Sequence, residues 1–318
     1  MAAAKNTPWS FLDEWRGTLF TGEWPTLPEM FRISVERYGD RPCLTVFEPD
    51  RVTLTYREVL AKVEQLASWL YSRGVRHGDH VAVSGKNSPE WAVAYLGTLF
   101  AGATVVPIDY GLHDAEIENL LKASEPKVFF VDEERYNTFS SKRNVGEVFS
   151  LSPKNEKTYI YSLSTAKEAK IKPAGETDLA AIMFTSGTTG NPKGVMLSHR
   201  NLVADCYIAQ SNLPIFHTDV FYALLPIHHS YTMLAVFIEA LSVGAEIVFG
   251  KSMAVSRMLR ELREGRITML LGVPLLFNKL LAGILKGIRD KGIFVYGIMK
   301  VLMGISYLIK KITGKNPG

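Results

Sequence analysis

The sequence is poor in several things, and each shortage narrows its function. Only Cys43 and Cys206 occur, far apart in the chain and without metal-ligand spacing. That excludes a disulfide framework and a cysteine-based metal site, and it fits reduced thiols in a cytosolic protein. No low-complexity or strongly charged tract interrupts the chain, which argues against disorder. The first twenty residues contain Lys5, Asp13, Glu14 and Arg16 but no apolar core of a secretory leader, so no signal peptide is expected. No interleaved basic and aromatic motif is found, and nucleic acid is not an expected partner.

What is present is enough for a large core: 318 residues, 47% of them hydrophobic. The formal net charge of +4 is unevenly spread. From Lys251 onward there are thirteen Lys/Arg against three Asp/Glu, so the body before it is net acidic. A basic end on an acidic body suggests an anionic partner, either a membrane surface or coenzyme A.

Short apolar runs alternate with helical patterns. Thr26-Leu-Pro-Glu29 and Thr55-Tyr-Arg-Glu58 are capping boxes, each opening a helix that should stop at Gly39 and Gly74. Ser88 caps a third helix, with Pro89 at its first position and Gly102 beyond its end. His80–Val83, Thr104–Ile108 and Lys127–Val131 read as buried strands, and a polar helix spans about Asp114 to Ser124. This alternation predicts an α/β fold with parallel sheets covered on both faces. Glu133 to Thr177 reads as a less regular connection. The predicted domains are therefore 1–174, a first α/β subdomain, and 175–318, a second.

The second subdomain opens on the most informative stretch. An apolar strand, Leu179–Phe184, runs into Thr185-Ser-Gly-Thr-Thr-Gly-Asn-Pro-Lys-Gly194. Gly187, Gly190 and Gly194 allow backbone N–H groups to approach an anion, while four hydroxyls and Lys193 supply further donors. A polyphosphate matches this donor set. The loop is not a Walker A motif, because Pro192, not Gly, precedes Lys193. Further on, Leu224-Leu-Pro-Ile-His-His-Ser-Tyr231 follows a strand and places His228 and His229 where α/β folds bind ligands. Neighbouring residues on a strand face opposite ways, so one histidine at most is expected in the site. A zinc site there is the weaker reading, since no third ligand lies nearby in the sequence.

The loop TSGTTGNPKG resembles, at every position, the signature loop of the adenylate-forming enzymes: acyl-CoA synthetases, luciferases and peptide-synthetase adenylation domains. Gly74–Val83, Trp91–Pro107, LPIHHSY and Val273-Pro-Leu-Leu-Phe277 are similar to further blocks of that family, so the resemblance runs from about Leu27 to Leu280. It implies the N-terminal domain of the adenylate-forming fold. Thr185, Ser186, Gly187, Thr188, Thr189, Gly190, Lys193 and Gly194 would then hold the ATP phosphates, with Thr188 also on Mg²⁺. Lys193, Thr188 and His229 would act in catalysis, His229 near the acyl carboxylate.

The implied reaction is ATP-dependent activation of a carboxylic acid to acyl-AMP and then acyl-CoA, with ATP, Mg²⁺ and coenzyme A. A long insertion after the Val-Pro-Leu-Leu-Phe block points to fatty acids, although Leu275 stands where long-chain members often carry Arg. The family's later blocks and C-terminal lid are missing, so the expectation is an N-terminal fragment of such a ligase. Two alternatives remain open. One is a truncated, non-catalytic paralogue that binds nucleotide, lipid or a partner half. The other is an acyl-AMP ligase that loads a carrier protein. Ile293–Ile309, with Lys300 inside it, is too short and charged to span a bilayer and reads either as an interfacial helix on a cytoplasmic protein or as a helix packed on the remainder of the protein.

Overall fold

The computed structural model describes residues 7–166, 169–185 and 192–314. They form α1 (Leu27–Tyr38), β1 (Pro42–Val46), β2 (Val52–Thr55), α2 (Tyr56–Ser72), β3 (His80–Ser84), α3 (Pro89–Phe100), β4 (Thr104–Pro107), α4 (Asp114–Ser124), β5 (Val128–Val131), α5 (Glu133–Ser140) and β6 (Glu147–Ser150). After these come β7 (Leu179–Thr185), β8 (Lys193–Ser198), α6 (His199–Ala209), β9 (Val220–Ala223), α7 (Ser230–Val243), β10 (Glu246–Phe249), α8 (Val255–Glu264), α9 (Pro274–Arg289) and α10 (Ile293–Thr313).

Two sheets result. A six-stranded sheet has the order β6-β5-β3-β4-β7-β8, and a four-stranded sheet the order β2-β1-β10-β9. Both have parallel cores, with one antiparallel strand at an edge: β8 on β7, and β2 on β1. The fold class is therefore α/β, as the alternation predicts, with mixed rather than purely parallel sheets. Both predicted capping boxes are formed. Thr26 Oγ1 accepts from the Glu29 N–H, Thr55 Oγ1 from that of Glu58, and each Glu reaches back to its cap residue. Caps of this kind contribute about 1 kcal/mol each.

Side-chain alternation explains how the larger sheet is covered. Val81, Val83, Val105 and Phe130 face one core, while Ala82, Val106, Phe129 and Val131 face another with Ile117, Leu121 and Phe139 of α4 and α5. The first core includes α3, which is apolar nearly all round and buried from Trp91 to Leu99. A helix of that composition must be covered on every side. α3 meets β3 and β4 of one sheet and β1 of the other. It also approaches α2 so closely that a Cβ at Gly97 would lie 2.6 Å from Leu66 Cδ2.

Two expectations need correction. The stretch from Glu133 contains a helix and a strand, α5 and β6. Their local signal is weak: α5 buries only Phe139, and β6 is four residues long and ordered by pairing with β5. The C-terminal apolar helix is also longer than expected. It runs 21 residues to Thr313, which is enough by length and composition to cross a membrane.

The residues fall into two compact units. The first, residues 1–251 and 261–271, holds both sheets; the second is 252–260 and 272–318. Within the second, α9 approaches the start of α8, where a Cβ at Gly283 would lie 2.3 Å from Val255 Cγ1. All of α10 lies outside any core, with Ile293, Phe294, Val301, Tyr307 and Ile312 more than half exposed.

Candidate functional site

β7 and β8 form a hairpin whose strands pair from Leu179↔Ser198 out to Thr185↔Lys193. Lys193 is thus the first residue of a strand, a detail that Pro192 and the glycines around it conceal in the sequence. Its side chain is exposed and makes no ion pair among the described residues. Thr185 Oγ1 lies 3.5 Å from the Lys193 carbonyl oxygen. At Gly194 a Cβ would come within 2.7 Å of Ile182 Cγ2, so the hairpin needs glycine there for close packing. Ser186, Gly187, Thr188, Thr189 and Gly190, the remaining residues expected to hold phosphate, lie outside the described residues.

The hairpin leaves the sheet beside β4, with Val105 paired to Ala181. Since β3, β4 and β7 are parallel, their carboxyl ends share one edge. That edge carries Asn87 after β3, Asp109 and Tyr110 after β4, and Thr185 at the end of β7. Ligands of open α/β sheets bind at such an edge.

The smaller sheet contributes the histidines. β9 ends at Ala223, and His228 and His229 lie in the turn that follows, not on the strand. The strand-alternation argument therefore does not apply. The rings sit together, with centroids 4.3 Å apart. His228 is buried, its Nε2 3.1 Å from Asp109 Oδ1, and His229 is exposed. Tyr110 packs edge-on against His228. Burial pushes the His228 pKa down to about 4; Asp109 opposes the shift and His229 adds to it. The ring is neutral at physiological pH.

Asn87 fastens this turn to the larger sheet. Its Nδ2 donates to the carbonyls of Ala223 (3.0 Å) and Leu225 (2.8 Å), and its Oδ1 accepts from Ile227 N–H (3.0 Å). Sequence reasoning takes Asn87 only as the approach to a helix and misses Asp109 altogether. The signal available was slight: each follows a predicted strand of a parallel sheet.

α7 starts directly after His229 and contains a π-helical segment, Met233–Ile238. Such segments recur at functional sites. The two cysteines are buried and free, and burial raises both thiol pKa values well above the ordinary range, as befits inert core thiols. A separate cavity of about 560 Å³ opens by Val46, Lys86, Asp132 and Tyr159. Lys86 there is paired to Glu134 at 2.6 Å, and Lys62 and Lys251 also line the cavity.

The AMP-binding enzyme family profile matches residues 31–296. A long-chain-fatty-acid–CoA ligase of Drosophila melanogaster is 31% identical over 291 residues, covering 80% of this chain and 42% of the relative. A chloroplastic long-chain-fatty-acid–acyl-carrier-protein ligase of Arabidopsis thaliana is 28% identical, covering 85% of this chain and 41% of the relative. Among solved structures, ATP-bound MatB of Rhodopseudomonas palustris superposes with a TM-score of 0.70 at 27% identity, over 81% of this chain and 51% of that one. The chain thus spans two fifths to half the length of these relatives.

Proposed function

The chain belongs to the AMP-binding enzyme family, and from that premise we propose that it forms the nucleotide- and acid-binding front of a ligase. The ligase activates a carboxylic acid with ATP, a fatty acid in the first instance, to acyl-AMP and passes the acyl group to a thiol. The observation that carries this reading is the hairpin at the carboxyl edge of the larger sheet, which presents an exposed Lys193, without an ion pair among the described residues, beside a glycine whose Cβ would not fit. That arrangement suits a phosphate group.

Bound MgATP would supply the electrophilic phosphorus and the pyrophosphate leaving group, with Mg²⁺ neutralising phosphate charge. Within the chain, Lys193 places a positive charge where pyrophosphate negative charge grows, while Thr185, Ser186, Thr188 and Thr189 offer hydroxyl groups and Thr188 a ligand to Mg²⁺. Gly187, Gly190 and Gly194, lacking side chains, would allow backbone N–H groups to approach the phosphates. His229 orients the acid's carboxylate from the opposite sheet. The acceptor is coenzyme A, with a carrier protein as the rival that the Arabidopsis relative suggests. The protein is placed in the cytoplasm, touching membrane through α10, whose Lys300, Lys310 and Lys311 suit anionic headgroups.

Two measurements test this. Calorimetric titration with MgATP should show Lys193→Ala binding about ten-fold more weakly, the value of one charge-assisted bond, with an unchanged melting temperature. Equal affinity would remove Lys193 from the site. Acid-dependent exchange of pyrophosphate into ATP should be faster with a long-chain fatty acid than with ferulate. ATP binding without exchange for any acid would replace the ligase reading with that of a nucleotide-binding paralogue.

A further inference from the structure

His228 is the anomaly of the crevice. It is 5% exposed, yet among the described residues its Nδ1 has no hydrogen-bond partner and its Nε2 meets only the Asp109 carboxylate, 3.1 Å away. Buried polar side chains are nearly always satisfied, and a buried imidazole with one ring nitrogen orphaned and the other on a carboxylate calls for a ligand. The geometry points to a divalent transition-metal site made of Asp109, His228 and His229.

The three side chains each offer one ligand atom, and these atoms lie within 4.8 Å of one another. Tetrahedral zinc, with bonds of about 2.0–2.2 Å, sets its ligand atoms roughly 3.3 Å apart. The 3.1 Å between His228 Nε2 and Asp109 Oδ1 is already close to one edge of that tetrahedron. His229 is exposed and free to close the remaining gap by rotating.

The surroundings hold the ligands ready. Asn87 fixes the 223–227 backbone, and the Tyr110 ring sets the plane of His228. Two nitrogens and one carboxylate, with a fourth position open, suit Zn²⁺ or Co²⁺. Mg²⁺ and Ca²⁺ want oxygen ligands throughout. The site therefore differs in ligand type and in residues from the phosphate-bound Mg²⁺ proposed for Thr188; it shares His229 with the proposed acid-binding site, and its test reads metal alone, with no acid or nucleotide present.

The test uses the 318-residue chain, stripped with a chelator and titrated with Co²⁺, then back-titrated with Zn²⁺. Expected are the visible d–d absorption of tetrahedral Co²⁺, saturation at one ion per chain, and bleaching by Zn²⁺. His229→Ala, an exposed change, and Asp109→Asn should each weaken binding by at least about ten-fold, whereas His113→Ala should not. Circular dichroism confirms that each variant is folded, and His229→Ala decides the matter if Asp109→Asn does not fold. Absence of the Co²⁺ band at stoichiometric metal would overturn the site. So would unweakened binding by His229→Ala.

Discussion

The two halves of the crevice are built by different means. The β7–β8 hairpin is a local device: one continuous segment, its strands paired residue by residue, hung on the edge of the larger sheet. The cluster of Asp109, His228 and His229 is assembled from two sheets, and its geometry depends on Asn87 and on the buried contacts around α3. A local device can be altered at its tip with little effect on the fold. A junction between sheets cannot, because its groups also hold the sheets together.

Asn87→Ala should separate the two cases most sharply. It removes three hydrogen bonds and leaves the Leu225 carbonyl and the Ile227 N–H without their Asn87 partner, while the Ala223 carbonyl keeps the Gly250 N–H. At about 1 kcal/mol per bond, with more for groups left unsatisfied, the expected loss is about 3–4 kcal/mol in urea unfolding. A loss under about 1 kcal/mol would mean that other contacts hold the junction.

Acid should come next. His199, at the start of α6, accepts a hydrogen bond at Nδ1 from the Leu27 N–H, 3.2 Å away, tying the base of the hairpin to α1. Burial is the main cause that lowers its pKa from 6.5 to about 4. The unfolded chain therefore takes up this proton at a higher pH than the fold does. The contribution is complete above pH 6.5 and is lost as pH falls towards 4, about 3 kcal/mol in all. His199→Asn keeps an acceptor and cannot titrate. It should lose correspondingly less stability between pH 7 and 4.5, and parallel losses would acquit His199.

The hairpin changes should be smaller. Gly194→Ala presses a methyl on Ile182 and is expected to cost about 1–2 kcal/mol, read as a small drop in melting temperature. Lys193→Ala, exposed and unpaired, should alter stability by less than about 0.5 kcal/mol while weakening MgATP. A large stability loss at Lys193 would break the distinction between tip and junction.

Some of this was legible beforehand. The capping boxes, the strand alternation and the Thr185–Gly194 loop are local patterns, set by side chains a few residues apart, and they carried the fold class and the family. β8 was hidden because its apolar run is short and its order comes from pairing with β7. α5 and β6 were hidden because their order comes from β5. The pairing of His228 with His229 was misjudged because periodicity holds only on a strand, and the strand had already ended at Ala223.

By itself the sequence determined the alternation of helices and strands, the glycine–hydroxyl–lysine loop and the basic, apolar C-terminal helix. These follow from local propensity and spacing. Only the tertiary structure decided that Asp109 meets His228 across more than a hundred residues, that Asn87 fastens one sheet to the other, and that His228 is buried with its Nδ1 unpartnered among the described residues. Those facts arise when α3 packs between two sheets and brings their carboxyl ends together, an outcome of burying surface that no short window of sequence contains.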